Sequence, residues 1–140
     1  EEALAEQLKL MRTRKRKLVD PLQFEMSIQA EDLAGYVPSF GYEMLPPTAK
    51  QIRALEKYGI FPDEIENAGK ASLILDRLAK RRADGLTTPK QIRFLEGRGF
   101  QKVGTWEFNA AKKLIDRIAG NGWRVPSGIH PQTYDPKEVV

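Results

Sequence analysis

The chain contains the same segment twice. Residues 48–56 read TAKQIRALE and residues 88–96 read TPKQIRFLE, an offset of 88 − 48 = 40 residues. The correspondence continues through LDRL at 75–78 and IDRI at 115–118. A period near 40 residues is typical of units built from two helices. The sequence therefore predicts one helical hairpin used twice.

Each copy carries the signals of a helix, a loop and a second helix. A threonine, Thr48 or Thr88, lies three residues before a glutamine, which is the spacing of a capping box. Gly59 and Gly99 are expected to end the first helices, because glycine adopts the left-handed conformation at little cost. Since a lone hairpin cannot bury its apolar face, the copies should pack on each other or on the flanking chain.

The second helices are expected over residues 68–82 and 106–119, the later one capped by Thr105. Apolar residues at helical spacing define the face that each should bury. These are Ala71, Ile74, Leu75 and Leu78 in the first copy, and Phe108, Ala111, Leu114, Ile115 and Ile118 in the second.

The sequence of the N-terminal region predicts helices, and the first of them leads into a run of basic residues at 12–17. That run suits a nucleic-acid contact and equally suits the solvated end of a helix, where cations complement the helix dipole. Asp20 and Pro21 then form a cap and first-turn pair. They should open a helix to about Leu33.

Residues 35–47 are rich in proline and glycine and predict an ordered linker. We expect it to lie across the repeats with Tyr36, Phe40, Tyr42 and Met44 as core residues rather than as a base-stacking platform. The predicted organisation is then N-terminal helices (1–34), linker (35–47), first repeat (48–86), second repeat (87–126) and extended tail (127–140).

Composition limits the classes of protein that fit. The 140 residues are enough for one domain, or two very small ones that share a core. Cysteine is absent, which excludes disulfides and thiolate metal sites and fits a cytoplasmic protein. No apolar run reaches the length of a membrane span. The first residue is Glu1 rather than methionine, so the chain reads as a piece of a longer protein.

No pattern in the sequence supports catalysis. The single histidine, His130, follows a glycine in a loop and is expected at the surface. The AGKAS segment at 68–72 resembles the end of a phosphate-binding loop, but Ala71 replaces the Ser or Thr and Glu64 replaces the first glycine. We therefore expect neither ATP hydrolysis nor a bound cofactor, metal or small-molecule substrate.

Positive charge is concentrated in the repeats. Residues 48–126 carry 16 basic and 9 acidic side chains, a net +7, against −2 for residues 1–47 and −1 for residues 127–140. Cations spaced along helices can follow a phosphate backbone, and we favour that reading over a merely solvated surface. The candidate nucleic-acid contacts are Lys50, Arg53, Lys57, Lys70, Arg77, Lys90, Arg93, Lys102, Lys112, Lys113 and Arg117.

The two tryptophans have two possible roles. Trp106 and Trp123 could stack on bases, although packing in the core is the favoured role for both.

Each repeat resembles the helix-extended-loop-helix modules of the SAP and LEM kind. The resemblance rests on the Thr-x-x-Gln-Ile-Arg-x-Leu-Glu helix, the glycine that ends it, and the Asp-Arg pair of the second helix. Such modules commonly bind DNA, and some bind proteins. The resemblance implies an all-α domain in which two SAP-like repeats pack together behind the N-terminal helices.

A longer series of motifs runs through most of the chain. The motifs are DL at 32–33, FGYEM at 40–44, PPT at 46–48, GKAS at 69–72, DRL at 76–78, TPKQIR at 88–93, GTW at 104–106 and NGW at 121–123. This series is similar to the C-terminal extension of certain bacterial and mobile-element superfamily II (DEAD/DEAH-box-like) helicases. The resemblance implies a non-catalytic accessory domain of an ATP-dependent helicase or restriction-type translocase, which holds DNA or RNA by its phosphates. The alternative is a protein-docking module that packs on the motor lobes or on a partner.

Overall fold

The computed structural model describes residues 2–39 and 41–137, without the side chains of residues 13–16. The expected burial of Phe40 and the central side chains of the basic run lie outside the described residues. Within that part the chain is helical and has no strand, which confirms the all-α class. The helices are α1 (Glu2–Lys17), α2 (Pro21–Ser27), α3 (Glu31–Ala34), α4 (Ala49–Tyr58), α5 (Ala68–Ala83), α6 (Pro89–Glu96) and α7 (Phe108–Gly120), with short 3-10 helices at Gly41–Met44 and Val103–Thr105.

Both predicted capping boxes are present. The Thr48 hydroxyl accepts the Gln51 backbone N–H at 3.1 Å, and the Gln51 side chain accepts the Thr48 N–H at 3.0 Å. Gln51 Nε2 also donates to the Ala68 carbonyl at the start of α5, at 3.1 Å. Each of these three contacts recurs 40 residues later in the second hairpin. The cap glutamine therefore joins the starts of both helices in each hairpin.

The two glycines that were expected to end the first helices have the same backbone conformation. Gly59 and Gly99 both have φ of +96°, in the region that only glycine enters without strain. After each, the next residue donates its N–H to the carbonyl five positions earlier, which closes a Schellman motif. The prediction is confirmed for Gly59, which is the C-cap of α4. In the second copy α6 ends earlier than predicted, at Glu96 with Gly97 as its C-cap, and Gly99 closes the turn that follows.

The second helix of the first hairpin matches its prediction closely. It runs from Ala68 to Ala83 and buries Ala71, Ile74 and Leu78. Leu75 is only half-buried.

The start of α7 corrects the prediction for the second hairpin. The helix begins at Phe108 and not at Trp106, and its N-cap residue is Glu107. Thr105 is not the cap, because it ends a 3-10 helix and its hydroxyl donates to the Lys102 carbonyl at 2.7 Å. Trp106, which precedes the helix, is buried in the core. Phe108, which was expected in the core, is 38% exposed.

The predicted helix from Asp20 to about Leu33 is two helices. Asp20 caps α2 as expected, since its carboxylate accepts the Leu22 N–H at 2.8 Å. The helix stops at Ser27, and Gln29 has φ of +59°. The backbone N–H of Ala30 bonds back to the Glu25 carbonyl at 3.0 Å, so a Schellman-type turn forms around a glutamine.

The segment 18–34 is part of the same core as both hairpins. Val19 forms a short backbone bridge to the chain after α4, donating to the Gly59 carbonyl and accepting from the Phe61 N–H, each at 2.7 Å. One buried cluster joins the three parts, with Phe24 and Leu33 from the N-terminal segment. It includes Leu55, Ile74 and Leu78 from the first hairpin and Ile92, Leu95, Leu114 and Ile118 from the second.

The linker was expected to lie across the repeats with its aromatic residues in the core. It lies against α5 of the first hairpin, and Tyr36, Tyr42 and Met44 do not enter the core. The Leu45 carbonyl accepts the Ala68 N–H at 2.7 Å, and Tyr36 packs half-buried against Gly69. Tyr42 and Met44 are 68% and 61% exposed. The expected burial of these two side chains is therefore wrong, because Glu43, which lies between them in the 3-10 helix, is the residue that faces Gly69 of α5.

Candidate nucleic-acid interface

A cleft of about 580 Å³ lies where the two hairpins meet. The C-terminal ends of α4 and α5 form one side, and the N-terminal ends of α6 and α7 form the other. The α5–α6 loop closes the base. Its lining residues are Lys57, Tyr58, Leu78, Arg81, Arg82, Gly85, Leu86, Thr87, Thr88, Pro89, Lys90, Phe108 and Asn109.

The cleft is positively charged. Lys57, Arg82 and Lys90 are all exposed, and they approach it from three different helices. None of the lining residues is an aspartate or glutamate. Because no carboxylate offsets these cations within the cleft, their fields add and favour an anionic ligand.

Arg81 adds a fourth positive charge at the wall of this cleft. The residue is only 7% exposed. Its Nη2 donates to the carbonyls of Thr87 and Gly104, at 3.2 and 2.8 Å, and to the Thr87 hydroxyl at 3.1 Å. Its Nε has no hydrogen-bond partner, and Arg81 forms no ion pair with any described carboxylate.

Burial lowers the pKa of the Arg81 guanidinium, and the nearby charge of Arg77 lowers it further. Arginine nevertheless stays protonated near neutral pH. A buried charge without an opposite charge is energetically costly. An anion bound in the cleft would offset that cost.

The N-terminus of α6 contributes little beyond its position. Pro89 has no N–H, and the Gln91 N–H is taken by the Thr88 hydroxyl. Of the first three residues of the helix, only Lys90 has a backbone N–H that could donate to a ligand. At the start of α6, side-chain cations rather than helix-end amides therefore supply the positive charge of the cleft.

The sequence-predicted cations fall into two groups. Eight are exposed: Lys57 and Lys90 in the cleft, Lys50 and Arg53 on the same helix as Lys57, Lys102 in a loop, and Lys112, Lys113 and Arg117 on α7. Lys112 is paired with Asp116 on its own helix at 3.2 Å.

The other three, Lys70, Arg77 and Arg93, contact the N-terminal segment. Lys70 Nζ lies 2.9 Å from Glu25 Oε1. Arg77 binds the Asp32 carboxylate, and Arg93 Nη1 donates to the Leu18 carbonyl at 2.6 Å. These side chains hold the N-terminal segment on the hairpins and do not line the cleft.

Several residues of this surface were not among the predicted contacts. Arg81 and Arg82 lie near the C-terminal end of α5. The run of basic residues KRR at 80–82 is the sequence feature that could have identified them. Trp123 was expected in the core, but it is 59% exposed, whereas Trp106 is buried as expected. No sequence signal distinguishes the two tryptophans, because both follow a glycine within two residues.

The part of the chain that the structure describes has neither a cluster of metal-ligating side chains nor a membrane-spanning helix. No group of three or more His, Asp or Glu side chains there is placed to hold a metal ion. Every helix in that part is too short or too polar to cross a bilayer. His130 is exposed, as the sequence predicted.

Comparison with protein-family models, with curated proteins and with solved structures gives no match for the chain.

Proposed function

We propose that the chain is a non-catalytic nucleic-acid-binding domain that holds a phosphate backbone in the cleft between its two hairpins. The observation that carries the proposal is the cleft itself, in which three exposed cations and buried Arg81 meet without a carboxylate. Phosphate contacts of this kind fix the position of a nucleic acid without reading its sequence. The ligand is accordingly DNA or RNA, bound with little sequence preference.

The resemblance of the motifs to helicase C-terminal extensions is the basis for inferring the parent protein of this domain. The domain would be an accessory region of a cytoplasmic ATP-dependent superfamily II helicase or restriction-type translocase. Its two hairpins would serve as SAP-like repeats. The motor would supply ATP hydrolysis, and this domain would hold or orient the strand beside the motor lobes of the same parent chain.

The proposal is tested by the salt dependence of binding. Fluorescence anisotropy would follow labelled single- and double-stranded DNA and RNA at several salt concentrations. The slope of log K against log salt is negative, and each phosphate contact adds about 0.7 to its magnitude on single strands and about 0.9 on duplex DNA. The double variant Lys57→Gln, Lys90→Gln should therefore reduce that magnitude by about 1.4 on single strands or about 1.8 on duplex.

A matched control uses the same chemistry outside the cleft. Lys80 and Lys137 are also exposed and line no part of the cleft. The Lys80→Gln, Lys137→Gln variant has the same net charge as the cleft variant and should keep the slope close to that of the wild type. Equal losses in both variants would show that only net charge matters and would refute the cleft as the binding site.

A second candidate function has its own observation. The linker exposes Val37, Tyr42, Met44 and Leu45, each at least 60% accessible. These apolar side chains suit docking on the motor lobes or on another protein. Such docking depends little on salt, so binding to isolated motor lobes that persists at high salt, together with no binding to any nucleic acid at low salt, would favour this function.

A further inference from the structure

We propose that Trp123, supported by Phe94 and Arg98, is a stacking platform for an unpaired nucleobase of the strand whose backbone occupies the cleft. This inference rests on the proposed nucleic-acid binding and specifies the form of the ligand as single-stranded. It is carried by the exposure, backbone conformation and contacts of Trp123.

The turn after α7 presents Trp123 to solvent. The residue is 59% exposed and has φ of +64°, directly after Gly122 at φ of +68°. Its N–H donates to the Ile118 carbonyl at 2.9 Å, and Asn121 Nδ2 donates to the Arg124 carbonyl at 3.0 Å. A bulky residue in the left-handed region is uncommon and strained, and such strain concentrates at ligand sites.

The contacts of Trp123 hold the indole while leaving ring surface open. Its ring meets Phe94 in a T-shaped contact, with centroids 6.0 Å apart and planes at 71°. A T-shaped contact covers no more than one face of either ring. The Arg98 guanidinium lies 3.7 Å from the centroid of the Phe94 ring. Arg98 Nη1 is also bonded to the Phe94 carbonyl at 3.3 Å, which fixes its place.

The platform is adjacent to the cleft along α6. Lys90, Phe94 and Arg98 follow at intervals of four residues and so share one side of the helix and the turn that extends it. Four residues of helix rise by about 6 Å. A strand whose phosphate contacts Lys90 can therefore place a neighbouring base near Phe94 and Trp123, with Arg98 beyond it.

The ligand chemistry follows from the ring. Every base has a flat face, so stacking on an aromatic side chain tolerates any sequence. In a duplex both faces of an internal base are already covered by its neighbours. The platform should therefore discriminate between single and double strands, whereas the cleft alone should bind both.

The test compares Trp123→Ala with wild type for binding to a mixed-sequence single-stranded oligonucleotide and to the matching duplex. Loss of one stacked base should weaken single-strand binding about tenfold and leave duplex binding unchanged. Trp123→Phe should restore most of the single-strand affinity. Tyr42→Ala is the matched control, because it removes an equally exposed aromatic ring from another surface.

A second measurement follows tryptophan fluorescence instead of affinity. Since Trp106 is buried, single-stranded oligonucleotide should quench the emission of Trp123 in the wild type but cause little quenching in Trp123→Phe. Thermal unfolding followed by circular dichroism would show that the variants remain folded.

The outcomes separate the two proposals. Unchanged single-strand affinity in Trp123→Ala, with weakened binding in the Lys57 and Lys90 variant, would overturn the platform and leave the cleft intact. An equal loss in Tyr42→Ala would also overturn it, because any exposed aromatic ring would then suffice. Absence of binding by the wild type at low salt would instead overturn the proposed function itself.

Discussion

Gly104 is the residue at which the N-terminal segment and the second hairpin approach most closely. Its N–H donates to the Ser27 hydroxyl at 2.7 Å, and that hydroxyl donates to Glu96 at 2.5 Å. A Cβ atom on Gly104 would lie 2.5 Å from the backbone carbon and oxygen of Ser27. Backbone atoms cannot rotate away as a flexible side chain can, so the position requires glycine.

We predict that Gly104→Ala lowers the free energy of unfolding by about 1 to 3 kcal/mol, the range for overpacking. Urea unfolding followed by circular dichroism measures it. Gly120→Ala is the control, because nothing lies within 4 Å of its added Cβ and the residue ends α7. That change should be neutral or stabilising by up to about 1 kcal/mol. Equal effects of the two substitutions would contradict the close approach to Ser27.

Among the helices, the beginnings of α6 and α7 differ in how they are capped. Thr88 forms a reciprocal capping box with Gln91. Glu107 precedes α7 without a side-chain cap, and Thr105 bonds only to the Lys102 carbonyl. Both threonines were predicted to cap a helix, but they have different structural roles.

The predicted consequence is a difference in stability. Thr88→Ala should destabilise the protein by about 1 kcal/mol, the usual cost of a lost N-cap. Thr105→Ala should cost no more than about 0.5 kcal/mol, as for an ordinary surface change. Denaturant midpoints at unchanged m-value would measure both. A larger cost at Thr105 would show that this threonine caps α7 after all.

The elements that the sequence predicted well have local causes. Thr48 and Thr88 with their glutamines, and the glycines at 59 and 99, are complete signals within a few residues of chain. The break at Gln29 has no such signal, because a glutamine occupies the left-handed position that glycine usually marks. The late start of α7 accompanies the burial of Trp106. The ring centroid of Trp106 lies 5.6 Å from that of Tyr134, a contact between residues far apart in the sequence.

Prediction of the site was limited by the repeat itself. Arg53 matches Arg93 and Arg77 matches Arg117 at the 40-residue offset. In each pair one arginine is exposed and the other binds the N-terminal segment. The chain has one N-terminal segment but two repeats, so only one arginine of each pair can contact that segment. The sequence of the repeat does not show which arginine of the pair it is. Lys57 and Lys90 were identified, but their meeting in one cleft depends on the angle between hairpins.

At the scale of the whole molecule, the segment after α1 joins the two hairpins. Gln23 and Ser27 bond to Glu96 of the second hairpin, at 3.2 and 2.5 Å. Glu25 and Asp32 pair with cations of the first. By fixing both hairpins, this segment sets the cleft between them and so determines where Lys57 and Lys90 lie relative to each other.

Helix α1 has a different relation to the rest of the protein. Its residues 2–12 and Lys17 are all exposed, and its described side chains add nothing to the buried cluster. Deleting residues 1–17 should therefore change the free energy of unfolding by no more than about 0.5 kcal/mol, as expected for surface changes. It should also leave the Lys57- and Lys90-dependent binding of nucleic acid in place.

Deleting residues 1–34 should have the opposite effect, because it removes Val19, Phe24 and Leu33 from the core. It also removes the N-terminal partners of Glu96 and Lys70. Loss of each large buried side chain alone costs about 2 to 5 kcal/mol. Three such losses together are comparable with the whole free energy of unfolding of a typical domain, about 5 to 15 kcal/mol. We expect this shorter chain to lack a cooperative thermal transition by circular dichroism, while the chain that begins at residue 18 keeps one. A cooperative transition in both would mean that the hairpins fold without the segment, and the cleft would then be set by hairpin contacts alone.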